Sequence, residues 1–216
     1  MALGVVQHRS IQAAGVSSLS LAFLSPTTLG NLLIYAIQAS GALPALSTDN
    51  AGNTVENIIA AGLRRLDYVR ACKGGACTVT ANGSGSEKIH LHIWEISGAD
   101  MNPLDQSNTK TQSSSNSPSI STASPTIAAS ELVFGQFQDF PNDDALTAGA
   151  GSLASEFTDG QAGNESMLTE VYIVSVVGVQ TAGITLGPAQ TITMAIATFM
   201  AVQDSFTESL AFESQG

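Results

Sequence analysis

Lys88-Ile89-His90-Leu91-His92-Ile93-Trp94-Glu95-Ile96-Ser97 alternates with period two. Successive side chains of an extended chain point to opposite faces, so His90, His92 and Trp94 leave one side together. The stretch predicts a strand, joined through the turn-rich Asn82-Gly83-Ser84-Gly85-Ser86 to an earlier strand at Thr78-Val79-Thr80. The same alternation puts Leu19, Leu21 and Phe23 on one face of residues 18–23. Residues 31–37 are a continuous apolar run that fits a central strand covered on both sides. Further strands are expected at residues 131–137, 170–177, 179–186 and 191–202, and only residues 54–63 suit a short helix, ended by Gly62. Many strands without alternating helices predict an all-β fold, an antiparallel β-sandwich of jelly-roll type.

A chain of 216 residues can bury a real core, and one domain is expected over residues 1–203. Residues 204–216, with Asp204, Glu208 and Glu213, read as an acidic tail or an arm docked on a neighbour. Residues 107–130 hold thirteen Ser or Thr together with Pro118 and Pro125, which predicts a long excursion with at most one edge strand. Residues 171–203 carry no charge, but Gly178, Gly183, Gly187 and Pro188 interrupt them. They read as paired core strands, not as a membrane helix. No secretory leader is evident in residues 1–9.

All seven Lys and Arg lie in residues 1–110, so the net charge of −11 falls entirely in residues 111–216. Phosphate-rich partners bind through basic groups, which argues against nucleic acid and against anionic membrane surfaces. Charged residues make up 12% of the chain, about half the usual share, so solubility rests on hydroxyls, amides and a one-signed field. That balance suits extracellular or particle-surface β proteins.

The candidate chemistry is sparse. His90 and His92 could grip a metal ion from one strand face. The pair resembles the first cupin motif, but Glu95 follows too early and with opposite parity, and His8 is the only other histidine. No metal site or cofactor is therefore expected. Cys72 and Cys77 bracket Lys73-Gly74-Gly75-Ala76, which reads as a hairpin turn; a disulfide and two buried thiols are both open. Two cysteines are too few for a zinc site, and no Gly-x-Ser-x-Gly elbow occurs. Glu95, Glu131 or Glu170 could pair as glycosidase carboxylates if a cleft brought them together. Asp139, Asn142, Asp143 and Asp144, beside Pro141, could form a calcium loop or an acidic turn. Trp94 could stack on a sugar or anchor a protein contact if its face is exposed, and is core if that face points inward.

The ordered series from residues 18–23 through Gly30-Asn31-Leu32-Leu33, Asp49-Asn50-Ala51-Gly52-Asn53-Thr54, Lys73-Gly74-Gly75-Ala76, Trp94-Glu95-Ile96-Ser97-Gly98, Asn102-Pro103-Leu104-Asp105 and Ser130-Glu131-Leu132-Val133-Phe134-Gly135 covers nearly the whole chain. It resembles a β-sandwich domain of phage virion proteins and bacterial secreted or surface proteins. The resemblance implies no catalytic residues. It implies a non-enzymatic structural protein of a phage-like virion, a capsid cement or decoration protein on the particle surface. Its partners would be capsid or other virion proteins and copies of itself, with a trimer favoured. A tail-associated protein, and a secreted carbohydrate-binding module or adhesin that takes glycan through Trp94, are the alternatives.

Overall fold

A computed structural model describes residues 2–140, 142, 144–159 and 165–202. The expected acidic tail, and Pro141 and Asp143 of the proposed calcium loop, lie outside these. Six strands come from the first half of the chain: β1 (Gly4–Ala22), β2 (Leu32–Ala39), β3 (Thr48–Asp49), β4 (Glu56–Ala61), β5 (Arg64–Val69) and β6 (Thr78–Ser97). The rest are β7 (Ala99–Ser115), β8 (Ser119–Ser121), β9 (Glu131–Asp139), β10 (Leu146–Ala148), β11 (Ala154–Asp159), β12 (Ser166–Val174), β13 (Thr181–Leu186) and β14 (Gln190–Ala201). The pairings are antiparallel, and no helix occurs among the described residues.

The result is an all-β sandwich. One main sheet runs β1-β6-β2-β5-β4 and the other β11-β12-β9-β14-β7, with a small sheet β10-β13-β8. The two main sheets divide the chain by halves, where a jelly roll interleaves its strands between sheets. Three apolar cores lie between four layers. The shared core joins Leu32, Ile34, Trp94 and Ile96 to Leu132, Phe134, Val171 and Phe199 across the main sheets. The outer face of the first sheet is covered where β1 and β6 bend and fold back with β3, enclosing Leu21, Leu33, Ile37, Val79, Leu91 and Ile93. The outer face of the second is covered by the small sheet, around Ile120, Val133, Phe137, Ile184 and Ile196. Both faces of the central strands are therefore buried, which explains the unbroken apolar run of β2.

Four local expectations change. Residues 54–63 are not a helix but β4 and its turn into β5: Ile58 and Ile59 favour extended backbone, and Gly62 turns the chain at φ 60. The two strands expected on either side of Asn82-Gly83-Ser84-Gly85-Ser86 are one strand, β6. Its glycines lie where the β1–β6 ribbon bends, opposite register shifts around Gly15 at φ 71. The segment between Cys72 and Cys77 is not a hairpin turn, because β2 lies between β5 and β6. Residues 107–130 are not a free loop: they contain the second half of edge strand β7 and all of β8, since Thr109 and Thr111 continue the ladder with β14.

The second sheet repeats the topology of the first. Replacing β1, β6, β2, β5 and β4 by β7, β14, β9, β12 and β11 reproduces the strand order, and β8-β13-β10 matches the folded-back β1, β6 and β3. The local bonds repeat as well. Thr27 N donates to Gly75 O and Thr126 N to Gly178 O; Phe23 N donates to Cys77 O and Thr122 N to Gln180 O. At an unbroken spacing, Gly75, Thr78, Ile89 and Ile93 correspond to Gly178, Thr181, Ile192 and Ile196, and Ser25-Pro26-Thr27 corresponds to Ser124-Pro125-Thr126. The sandwich is a pair of related halves packed face to face.

Candidate functional site

The space between the main sheets is apolar at one end and polar at the other. His90 and His92 project from β6 into the polar end and are fully buried. His90 Nδ1 lies 2.7 Å from Thr158 Oγ1, while His92 contacts Thr169 Oγ1 through Nδ1 and Thr158 Oγ1 through Nε2, both at 2.9 Å. Trp94 Nε1 donates to the same Thr169 hydroxyl at 3.1 Å. Gln38 Nε2 donates to Glu165 Oε2, and Gln136 Nε2 donates to Ile37 O. At the sheet edge His8 and Ser10 both reach Glu156, and the His8 ring stacks on Trp94 with centroids 4.5 Å apart.

Burial and the positive Lys88 push His90 down to about 4, and burial followed by neighbouring His90 pushes His92 well below the usual imidazole range. Both rings are therefore neutral near pH 7, which suits a metal ligand. The third donor is what the geometry withholds. Glu165 Oε2 is 3.9 Å from His90 Nε2, His8 is committed to Glu156, and no cluster of three or more His, Cys, Asp or Glu fit for a metal occurs among the described residues. The seam is a hydrogen-bonded polar layer between sheets, with His90 Nε2 and the amide oxygens of Gln38 and Gln136 unpartnered.

Burial also pushes the Glu165 carboxyl up to about 7, with Lys88 and Gln38 pulling against it. A carboxyl raised on folding stabilises the native state fully below its unfolded value of about 4.5, and that contribution is lost as pH rises through about 7. Glu165→Gln should accordingly gain stability relative to the parent between pH 5 and pH 8, on the order of 1–2 kcal/mol. The histidine contributions run the other way but are common to both proteins, so the difference isolates Glu165. Parallel urea curves at the two pH values with an unchanged difference would contradict this placement of the carboxyl.

The other candidates are dispersed. Trp94 is fully buried, edge-on to Phe134 at 5.8 Å, so its indole presents no face to a sugar. Cys72 and Cys77 are buried free thiols; Cys72 Sγ donates to Thr28 O, and burial with the negative Asp49 raises Cys77 to about 11. Glu95 lies on the outer face of the first sheet, while Glu131 and Glu170 lie on the outer face of the second, four residues apart in register, about 13 Å. No pair of them faces across a cleft at the separation glycoside hydrolysis needs. Each serves a loop instead. Glu95 accepts from Thr28 N and Asn31, Glu131 from Ala128 N, and Glu170 from Gly149 N and Gly183 N. Asp139 is buried and raised to about 6, mainly by that burial, and accepts from Asn142.

The opposite end of the sandwich gathers exposed apolar side chains. The connections β1–β2, β8–β9 and β12–β13 and the start of β7 lie at that end, and they expose Leu24, Leu29, Met101, Ile127, Val176, Val177 and Val179. Leu29 and Met101 are each 77% exposed. The loops are held, not loose: Gln180 Nε2 donates to the carbonyls of Val176 and Gly178, and Asp105 accepts from Ile127 N. Sequence reading did not identify this end, because its members are scattered singly along the chain. Nor did it identify the internal repeat, for which the two Ser-Pro-Thr triplets are the signal.

Comparison with known protein families, curated proteins and solved structures found no match.

Proposed function

We propose that this chain is a non-enzymatic structural protein of a phage-like virion, a cement or decoration protein that coats the particle surface as an oligomer. The observation that carries the reading is the apolar end. Exposed Leu, Ile, Met and Val side chains on hydrogen-bonded loops at one end of the sandwich are the composition of an association surface, not of a solvated tip. A chain of net charge −11 repels its own copies, and the loops over residues 23–31, 122–130 and 175–180 carry no charge. They are where two copies meet at least electrostatic cost. Repetition of a modest contact around a shell then sums to a stable coat through multivalency. Capsid placement and a trimer remain the favoured form, with the tail as alternative; the glycan reading loses its aromatic because Trp94 is core.

Sedimentation of the full chain across a concentration series tests the association step. The parent should form a closed oligomer, and the triple variant Val176→Ser, Val177→Ser, Val179→Ser should shift it toward monomer. Exposed substitutions of this kind change stability by about 0.5 kcal/mol or less each, so the fold should persist. A parent that is monomeric at every concentration would remove the support.

A further inference from the structure

The internal repeat makes one flank of the polar seam a reference for the other. Between β6, β11 and β12 the gap is filled by His90, His92, Thr158 and Met167. At the corresponding positions of the other flank stand Thr193, Ala195, Ala61 and Arg64. Smaller side chains replace both histidines; Ala195 is closed into the shared core, while beside Thr193 lies an open cleft of about 400 Å³ whose wall includes Ala61, Leu63, Arg64, Lys110, Phe140 and Thr193.

Arg64 brings a charge where its counterpart is a methionine. It is only 4% exposed, and neither Nε nor Nη1 has a hydrogen-bond partner. Three of its five N–H groups are thus unmatched. Burial lowers its pKa only to about 10, so it is a cation at neutral pH. An uncompensated buried charge is strongly unfavourable, and the nearby bases do not share the role: Arg65 pairs with Asp67, and the Lys110 ammonium turns to Gln112 and Ser119. A guanidinium at the wall of a cleft, with apolar Leu63 and Phe140 beside it, calls for an anion with a hydrocarbon body. A dianion such as phosphate would meet one unpaired cation within a strongly acidic chain, since the ammonium of Lys110 is already engaged.

We propose that this cleft binds a small organic carboxylate, its oxygens on Arg64 and its hydrocarbon part against Leu63 and Phe140. Thermal unfolding of the full chain at pH 7 and constant ionic strength, with chloride replaced by acetate, butyrate or phosphate, tests it. Butyrate should raise Tm saturably and more than acetate, because a ligand held only by the native state stabilises it by mass action. Arg64→Met should weaken apparent butyrate affinity at least about tenfold, the loss expected for a charge-assisted hydrogen bond. Thr193→His, which restores the imidazole of the filled flank while keeping Arg64, should abolish the response, and it decides the matter alone if Arg64→Met does not fold. A cleft holding only water gives no response to any salt. That result, an equal rise with chloride or phosphate, or a butyrate response retained in both variants would overturn the assignment.

Discussion

Trp94→Ala is expected to destabilise the protein by about 3–5 kcal/mol, the range for truncating a fully buried aromatic that leaves a cavity behind. The indole is wholly inaccessible, packs T-shaped with Phe134 of the opposite sheet, stacks with the His8 ring, and donates its N–H to Thr169. Removing it takes a contact from both sheets and leaves the Thr169 hydroxyl with one partner fewer beside His92. Because total stabilities are about 5–15 kcal/mol, the variant should show a large fall in urea midpoint or fail to fold. Trp94 is also the only tryptophan, so parent fluorescence should be blue-shifted and poorly quenched by iodide. A stable Trp94→Ala protein that merely loses glycan retention would place the indole on the surface, against the packing described here.

Glu95→Ala should cost about 3 kcal/mol or more through a different mechanism. The buried carboxylate accepts from Gln7 Nε2 at 2.6 Å, Thr28 N at 2.7 Å and Asn31 Nδ2 at 2.7 Å. Truncation strands the buried Asn31 Nδ2 and takes the acceptor from Thr28 N, while Gln7 Nε2 keeps Ser25 O, and a buried donor without an acceptor costs about 1–3 kcal/mol. Glu95→Gln keeps one acceptor oxygen and should lose about half as much. The damage should be local in exchange experiments, with amide protection falling first over residues 25–31, the connection that carries Leu24 and Leu29 at the apolar end. A loss below about 1 kcal/mol, or protection unchanged at Thr28, would contradict the clamp.

The repeat explains why these single residues matter unequally. In the second half the position of Trp94 is held by Ala197 and that of Glu95 by Thr198, while the loop-holding carboxylate moves to Glu131 on the neighbouring strand. One half supplies the large aromatic, and the other supplies Phe134 and Phe199 to receive it. Such complementary divergence is what a face-to-face pair of related halves needs for close packing, since two large side chains at both equivalent sites would overfill the same core. It also removes the identities by which the repeat would otherwise be read.

Period-two alternation determined the strand content, and with it the β-sandwich, because pleat parity is local. It also determined that His90, His92 and Trp94 share a face. It left undecided whether that face meets solvent or core. In an ordinary two-layer sandwich one side of each strand is wet, so a polar His-x-His pair suggests exposure. Here the β1–β6 ribbon folds back over the first sheet and a third sheet covers the second, so both sides are dry. The imidazoles are buried because hydroxyls from β11 and β12 meet them, and these partners are 66 to 77 residues away in sequence. Residues 54–63 show the same limit in reverse: a helical pattern yielded to pairing with β5. Charge distribution and strand parity are properties of the chain alone. Burial, the apolar end and the unpaired Arg64 in its cleft arise only when distant segments are stacked, because each depends on what lies opposite across a sheet.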